Sequence, residues 1–363
     1  MASMALCHIG RLVKGFEGDT NLDYSGALMI ISIKLSSFGF NVSDGQLKTP
    51  KSDHDERMKV KTYPTWIEYF GWIYFFGGFL AGPTCEYMDY IRFVEDKTVR
   101  NSLRPALREV TKSVFFIAAL IYLAPTFNYF EALKPEWSAT SFTYKMVFIQ
   151  LSAFLTRCKY YSIWALAEGA SILAGFGYNG IDDQGREKWD LLRNVHAFQC
   201  EGAQSFKELS ENWNIGANHW LRHYVYLRLV NKEGKSSSAT LKTYVISSMW
   251  HGFQPGFYMF FMTASVLQLL ARQVRRTIRP YTFTKDGPNR TTKPLYDIAT
   301  WIASMGTLNM LVPCFDLLHV GKIMHVWRQV YYCHFIGIAL FSILFFTLIK
   351  PNCRPIANNK KEN

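Results

Sequence analysis

Four long stretches of the chain carry no formal charge: 113–130, 243–271, 298–315 and 329–349. Each reaches the roughly 18 residues that a helix needs to cross the apolar layer of a membrane. Two more qualify with a single acid inside, 63–84 with Glu68 and 160–178 with Glu168. Two weaker stretches, 24–41 and 142–155, each hold one basic residue, Lys34 and Lys145. None alternates apolar and polar positions with a period of two, which excludes a membrane barrel. The pattern predicts an all-α, polytopic membrane protein of roughly six to eight transmembrane or re-entrant helices. A soluble helical core is the plainer alternative, but core helices seldom run this long without a charge, and here four do. Glu68 and Glu168 are expected to face the bundle interior, as ion-pair partners more than as proton carriers.

Composition sharpens this. Of 363 residues, 49% are hydrophobic, 16% aromatic and only 19% charged, which excludes a disordered chain. Seven Cys without a C-x-x-C pair exclude a disulfide scaffold and a zinc site of the usual spacing. Mean hydropathy is −0.01, because long polar links dilute the spans. Basic residues outnumber acidic ones by 40 to 28 and gather in those links, at 92–112, at 272–293 and from Lys350 onward. Such clusters beside helix ends mark the cytoplasmic side. A sharper reading sets one of them against an anionic cofactor or anionic lipid headgroups. No nucleic-acid partner is expected.

Residues 1–349 read as one membrane domain and 350–363 as a basic cytoplasmic tail. The tail ends Lys360-Lys361-Glu362-Asn363, similar to a dilysine retrieval signal of the endoplasmic reticulum. Residues 1–15 hold a short apolar patch ahead of Glu17-Gly18-Asp19, which is not a signal peptide. The sequons Asn41-Val42-Ser43 and Asn289-Arg290-Thr291 read as chance. The longest polar link, 179–212, carries a turn signal at Asp182-Asp183-Gln184-Gly185. After it, 214–230 mixes Trp220, Leu221 and Tyr224 with Arg222 and Arg228, as an interfacial or re-entrant segment would.

His251 is the most informative side chain. It lies inside the longest charge-free run, in Trp250-His251-Gly252-Phe253-Gln254-Pro255-Gly256. Pro255 and Gly256 should break the helix just past it. A broken helix is tolerated at membrane depth only where its loose backbone groups face protein or a water-filled cavity. The run therefore predicts two helices meeting at a polar chamber with His251 on its wall. Apolar surroundings keep an imidazole neutral and ready to act as a general base. The alternative is a packing histidine held by a hydrogen bond. His334, without Gly or Pro beside it, reads as interfacial. His219 and His223 have the spacing of a metal pair on a helix, but no neighbouring Cys or acid completes a set, and no metal is expected. There is no phosphate loop, no G-x-S-x-G elbow and no H-E-x-x-H. No His has an Asp five positions later, so the H-x4-D motif of the other large lipid acyltransferase class is missing.

Four stretches together resemble the membrane-bound O-acyltransferase family, in its lysophospholipid acyltransferase branch. The first holds Lys34-Leu35 and Asn41-Val42-Ser43-Asp44-Gly45. The second holds Phe79-Leu80-Ala81-Gly82-Pro83 and Glu86-Tyr87-Met88-Asp89-Tyr90. The third holds Tyr160-Tyr161, Trp164, Leu166-Ala167-Glu168 and Gly175-Phe176-Gly177-Tyr178. The fourth and most specific runs from Ser205-Phe206-Lys207 through Asn212-Trp213-Asn214 and Trp220-Leu221 to Trp250-His251-Gly252.

The resemblance implies an intramembrane catalytic chamber, with His251 as the catalytic histidine and Asn214, rather than Asn212 or Asn218, as its polar partner. It implies a fatty acyl group moving from acyl-CoA, a co-substrate and not a bound cofactor, to the free hydroxyl of a lysophospholipid, as in phospholipid remodelling. Trp213, Trp250, Arg222 and Arg228 become candidate substrate contacts, and the 272–279 cluster a second candidate for CoA. Family members usually carry further membrane helices ahead of the Lys-Leu stretch, and this chain has little there. The alternatives are a different acceptor (a sterol, diacylglycerol or a protein), or a transporter using His251 and the buried acids as a proton path.

Overall fold

The computed structural model describes residues 2–14, 24–47, 52–230, 237–284 and 287–353. Helices dominate. Among the described residues the strands are one antiparallel pair, Phe283–Thr284 and Gly287–Pro288, with Phe283 opposite Pro288. Among the described residues, three helices are long and apolar enough to cross a membrane: Ser25–Gly45, Thr292–Leu317 and Cys333–Asn352. The last is only 6% buried. Ile336, Leu340, Ile343 and Leu348 point outward from it, a surface suited to lipid. Leu103–Leu123, Phe142–Leu173 and Pro255–Ile278 are also long, and each carries charged residues as well.

Three expected stretches take a different form. The stretches 142–155 and 160–178 join into one 32-residue helix, Phe142–Leu173, which runs straight through Arg157 and Lys159. At 1.5 Å per residue it is roughly 48 Å long. Arg157 does not interrupt it because its guanidinium is satisfied inside the protein. Nε and Nη2 each donate to the Glu201 carboxylate at 2.7 Å, and Nη1 donates to Asn309 Oδ1 at 2.6 Å. Tyr161 adds a 2.7 Å hydrogen bond to Glu201. One charge thereby ties the long helix to the 197–201 turn and to Thr292–Leu311.

The second difference is at 63–84, which forms no span. Its helix covers only Trp66–Ile73. Thr65 and Glu68 make a capping box, in which Glu68 Oε2 accepts from Thr65 N at 2.8 Å. Glu68 thus serves the start of its own helix and does not face the bundle interior. At the other end Lys34, buried in the Ser25–Gly45 helix, donates to the carbonyls of Trp72 at 2.7 Å and Ile73 at 3.1 Å. A cation against the last carbonyls offsets the dipole of the short helix.

Glu168 does face inward, where Arg193 meets it at 2.9 Å. Arg193 also lies 3.7 Å from Glu109. Leu103–Leu123 and Phe142–Leu173 pack closely through small residues. Ser113 donates to Ser162 O at 2.8 Å, and a Cβ on Gly169 would stand 2.9 Å from Val110 Cγ2. The main core gathers Tyr129, Phe148, Ile149, Leu308 and Leu311. A second surrounds Trp72, Phe75 and Phe176. A third joins Met4, Ile33, Trp220, Tyr224 and Trp250.

The 182–185 turn is present, with Gly185 at φ +76° and Gln184 N donating to Asp182 at 2.9 Å. Asn41 is buried and hydrogen-bonded, in keeping with a chance sequon. Lys360 and Lys361 lie outside the described residues. Arg157→Met should leave Glu201 and Asn309 without their shared partner and cost about 3 kcal/mol. Thermal unfolding in detergent reads this as a lowered Tm. Lys134→Ala, at an exposed pair, should change little. Equal Tm values for the two variants would remove the Arg157 network as a stabilising element.

Candidate active site

The 243–271 run breaks where its sequence says it should. Helix Ser237–His251 ends because Gly252 takes φ +146°, a conformation that side-chain-bearing residues rarely adopt. Helix Pro255–Ile278 begins with Pro255 in its first turn, where a missing N–H costs nothing. Gly256 N donates to Leu318 O at 2.9 Å, and a Cβ on Gly256 would lie 2.2 Å from Cys314 O. The new helix is therefore seated backbone to backbone on Pro313–Leu317.

His251 is the residue at the break. It is half-buried, with ring centroids of Trp250 at 4.7 Å, Phe261 at 5.0 Å, Phe315 at 5.1 Å and Phe257 at 5.7 Å. Among the described residues, no protein group hydrogen-bonds its ring nitrogens. Aromatic rings surround the imidazole, and its nitrogens are not spent on a hydrogen bond among the described residues.

Asn214 caps helix Ile215–Trp220 from a left-handed conformation, φ 45° and ψ 56°, that Asn tolerates. Buried Asn194 holds this turn at three points. Its Nδ2 donates to Asn214 Oδ1 at 3.3 Å, its Oδ1 accepts from Gly216 N at 3.0 Å, and its carbonyl accepts from Ile215 N at 2.9 Å. Asn214 Nδ2 has no acceptor among the described residues and remains available as a donor. Asn212, by contrast, donates to Glu208 O within its own helix.

No hydrogen bond joins Asn214 to His251 among the described residues. What relates them is the Trp220–Trp250 ring pair, at 6.0 Å. Both indoles dock on the Ser25–Gly45 helix, Trp220 to Ser36 Oγ at 2.9 Å and Trp250 to Met29 O at 3.0 Å. Trp213 packs edge-on against Tyr160, Tyr161 and Trp164. Arg228 is committed to Asp44, at 2.5 Å and 3.4 Å, and lies over Phe40. Arg222 is exposed.

Two residues near the site escape sequence reading. His8 Nε2 sits 3.2 Å from Trp250 O, under the helix break, on a short helix with no motif to mark it. Asn194 lies in an irregular link, and only its polarity there could have drawn notice. The 272–279 cluster borders an open groove of about 540 Å³ between Pro255–Ile278 and Cys333–Asn352. Leu267, Leu270, Ile338 and Phe346 line it, with Arg272 and Arg276.

Residues 18–314 match the model of the MBOAT, membrane-bound O-acyltransferase family. The chain belongs to this family. A relative named lysophospholipid acyltransferase, from Schizosaccharomyces pombe (strain 972 / ATCC 24843), is 32% identical over 349 residues, covering 91% of this chain and 68% of its own length. Human membrane-bound glycerophospholipid O-acyltransferase 2 is 30% identical over 364 residues, covering 94% of this chain and 68% of its own. The human protein named membrane-bound glycerophospholipid O-acyltransferase 1 is 30% identical over 374 residues, covering 97% and 73%. This membrane-bound O-acyltransferase is thus an enzyme, and its all-α fold is that of a multi-pass membrane protein.

Gly256→Ala should push the second helix off Pro313–Leu317 and cost roughly 1–3 kcal/mol. A lowered Tm with reduced acyl transfer is the expected result. A variant as stable and active as the parent would show that the close seat at Gly256 does not set the break.

Proposed function

We propose that the protein transfers a fatty acyl group from acyl-CoA to the free hydroxyl of a lysophospholipid, giving a diacyl phospholipid and CoA. The observation that carries this is His251, with open ring nitrogens, standing at a helix break inside an aromatic enclosure. Relatives named for lysophospholipid and glycerophospholipid acylation support the acceptor class.

In this reading His251 takes the hydroxyl proton. The oxygen attacks the thioester carbonyl, the C–O bond forms and the C–S bond breaks. The proton passes from His251 to the departing thiolate. General-base action of this kind contributes roughly 10²- to 10⁴-fold. Asn214 Nδ2 donates toward the oxygen that gains negative charge, or orients a substrate group, where one donor in a water-poor site is worth roughly 3–4 kcal/mol. The membrane already concentrates one substrate, so proximity contributes much of the remainder. Arg222 and the Arg272–Arg276 rim are the cationic surfaces offered to CoA or a lipid phosphate. Arg228 and Trp213 act by holding the fold. We place the site in the endoplasmic reticulum membrane, with the basic residues from Lys350 onward on the cytoplasmic side, a reading supported by their position beside the end of the last long helix.

Membranes expressing the chain, given oleoyl-CoA and a panel of lysophospholipids, a sterol and diacylglycerol, test the acceptor. CoA release that depends on a lysophospholipid is expected, and the best headgroup names the substrate. Release only with the sterol or diacylglycerol would replace the acceptor. Flux across liposomes without CoA release would replace the enzyme with a transporter. Asn214→Ala should lower release by roughly 10²- to 10³-fold.

A further inference from the structure

Three histidines from distant parts of the chain meet beside the Ser25–Gly45 helix. His54 lies on helix Asp53–Met58, His219 on Ile215–Trp220, and His223 on the π-helical turn Leu221–Tyr226. Their ring centroids are 3.9 Å apart for His54 and His223, 4.2 Å for His219 and His223, and 4.7 Å for His54 and His219. One ring nitrogen from each lies within 4.8 Å of those of the other two, and all three residues are half-buried. The sequence pairs His219 with His223 but gives no sign of the third member, which lies more than 160 residues earlier.

Tyr224 orients the third ring. His54 Nε2 is 3.2 Å from Tyr224 Oη, which also meets Asn41 Oδ1 at 2.9 Å and Glu86 Oε1 at 3.0 Å. A phenol has one proton. Given to Asn41 or Glu86, it leaves Oη to accept from His54 Nε2–H, so Nδ1 keeps its lone pair. An outer hydrogen bond that fixes the tautomer in this way is typical of metal-binding histidines. Burial first, then His223, His219, Arg57 and Arg228 pull His54 down to about 3. Burial, His223, Arg222 and Arg57 pull His219 down to about 4. His223 is lowered chiefly by burial and Arg222. At neutral pH the three rings are neutral ligands. Of the nearby guanidiniums, Arg228 is bound to Asp44, Arg57 lies 3.6 Å from Asp89, and Arg222 is exposed. Neutral rings offer an anion at most one N–H donor each and no charge of their own, whereas each can turn a lone pair toward a metal.

We propose that His54, His219 and His223 form a three-histidine site for a zinc-class dication, its fourth position open to water or another oxygen ligand. The site is separate from His251. Its metal would clasp the segment after the Ser25–Gly45 helix to the one that follows Asn214.

The test uses the full chain, purified in detergent and stripped with a chelator. Cobalt(II) titration should give one ion per chain with the visible absorption of a four-coordinate site, displaced by zinc. Zinc should raise Tm. His54→Asn, His219→Asn and His223→Asn should each weaken binding by about 100-fold or more, and Tyr224→Phe by about 10- to 100-fold. His319→Asn, at an exposed position, should bind as the parent does. If a histidine variant does not fold, Tyr224→Phe and the cobalt spectrum of the parent decide the matter. No cobalt spectrum, or equal affinity in all variants, would overturn the site. Stabilisation by inorganic phosphate without any by zinc would overturn it in favour of an anion site.

Discussion

Arg157 sets the condition that the rest of the bundle meets. A guanidinium carried through the middle of an apolar helix has no water to fall back on, so its charge and its donors must be matched by protein. Glu201, Asn309 and Tyr161 do this together. Because they come from separate helices, satisfying one charge also fixes how those helices sit. The same demand explains Lys34 against the carbonyls of Trp72 and Ile73, and Arg193 against Glu168 and Glu109. Buried polarity acts here as a set of positional constraints between otherwise smooth apolar helices.

The site at His251 has the opposite character. Everything around it is held, yet no hydrogen bond from the protein engages the imidazole among the described residues. Gly252 ends one helix, Pro255 starts the next, and Gly256 seats that start against Cys314 and Leu318. Asn194 performs the same service for Asn214, engaging its oxygen while its amide nitrogen stays available. A rigid frame around unspent donors and acceptors is the arrangement that acts on a transition state without reorganising.

Much of this was legible in the residues. The helix break followed from Gly and Pro inside a charge-free run, because backbone conformation is a local property. The inward turn of Glu168 followed from the cost of exposing a charge to lipid. Other features depend on partners remote in sequence. The join of 142–155 to 160–178 hinged on Glu201 and Asn309, and without them Arg157 looked like a boundary. Glu68 misled because a capping box and a buried acid look alike when only the apolar flanks are weighed, although Thr65 three residues before it carried the signal. His8, Asn194 and His54 stand near other residues only in three dimensions, and nothing in their local sequence marks them.

If His251 performs the chemistry and does not merely shape the site, its loss acts on the chemical step and spares binding. Single-turnover transfer from labelled oleoyl-CoA to a lysophospholipid, with acyl-CoA binding measured in parallel, separates the two for the parent and His251→Gln. Diacyl product formation by His251→Gln should fall by roughly 10²- to 10⁴-fold while acyl-CoA binding is unchanged. Product formed by the variant at the parent's rate would contradict it.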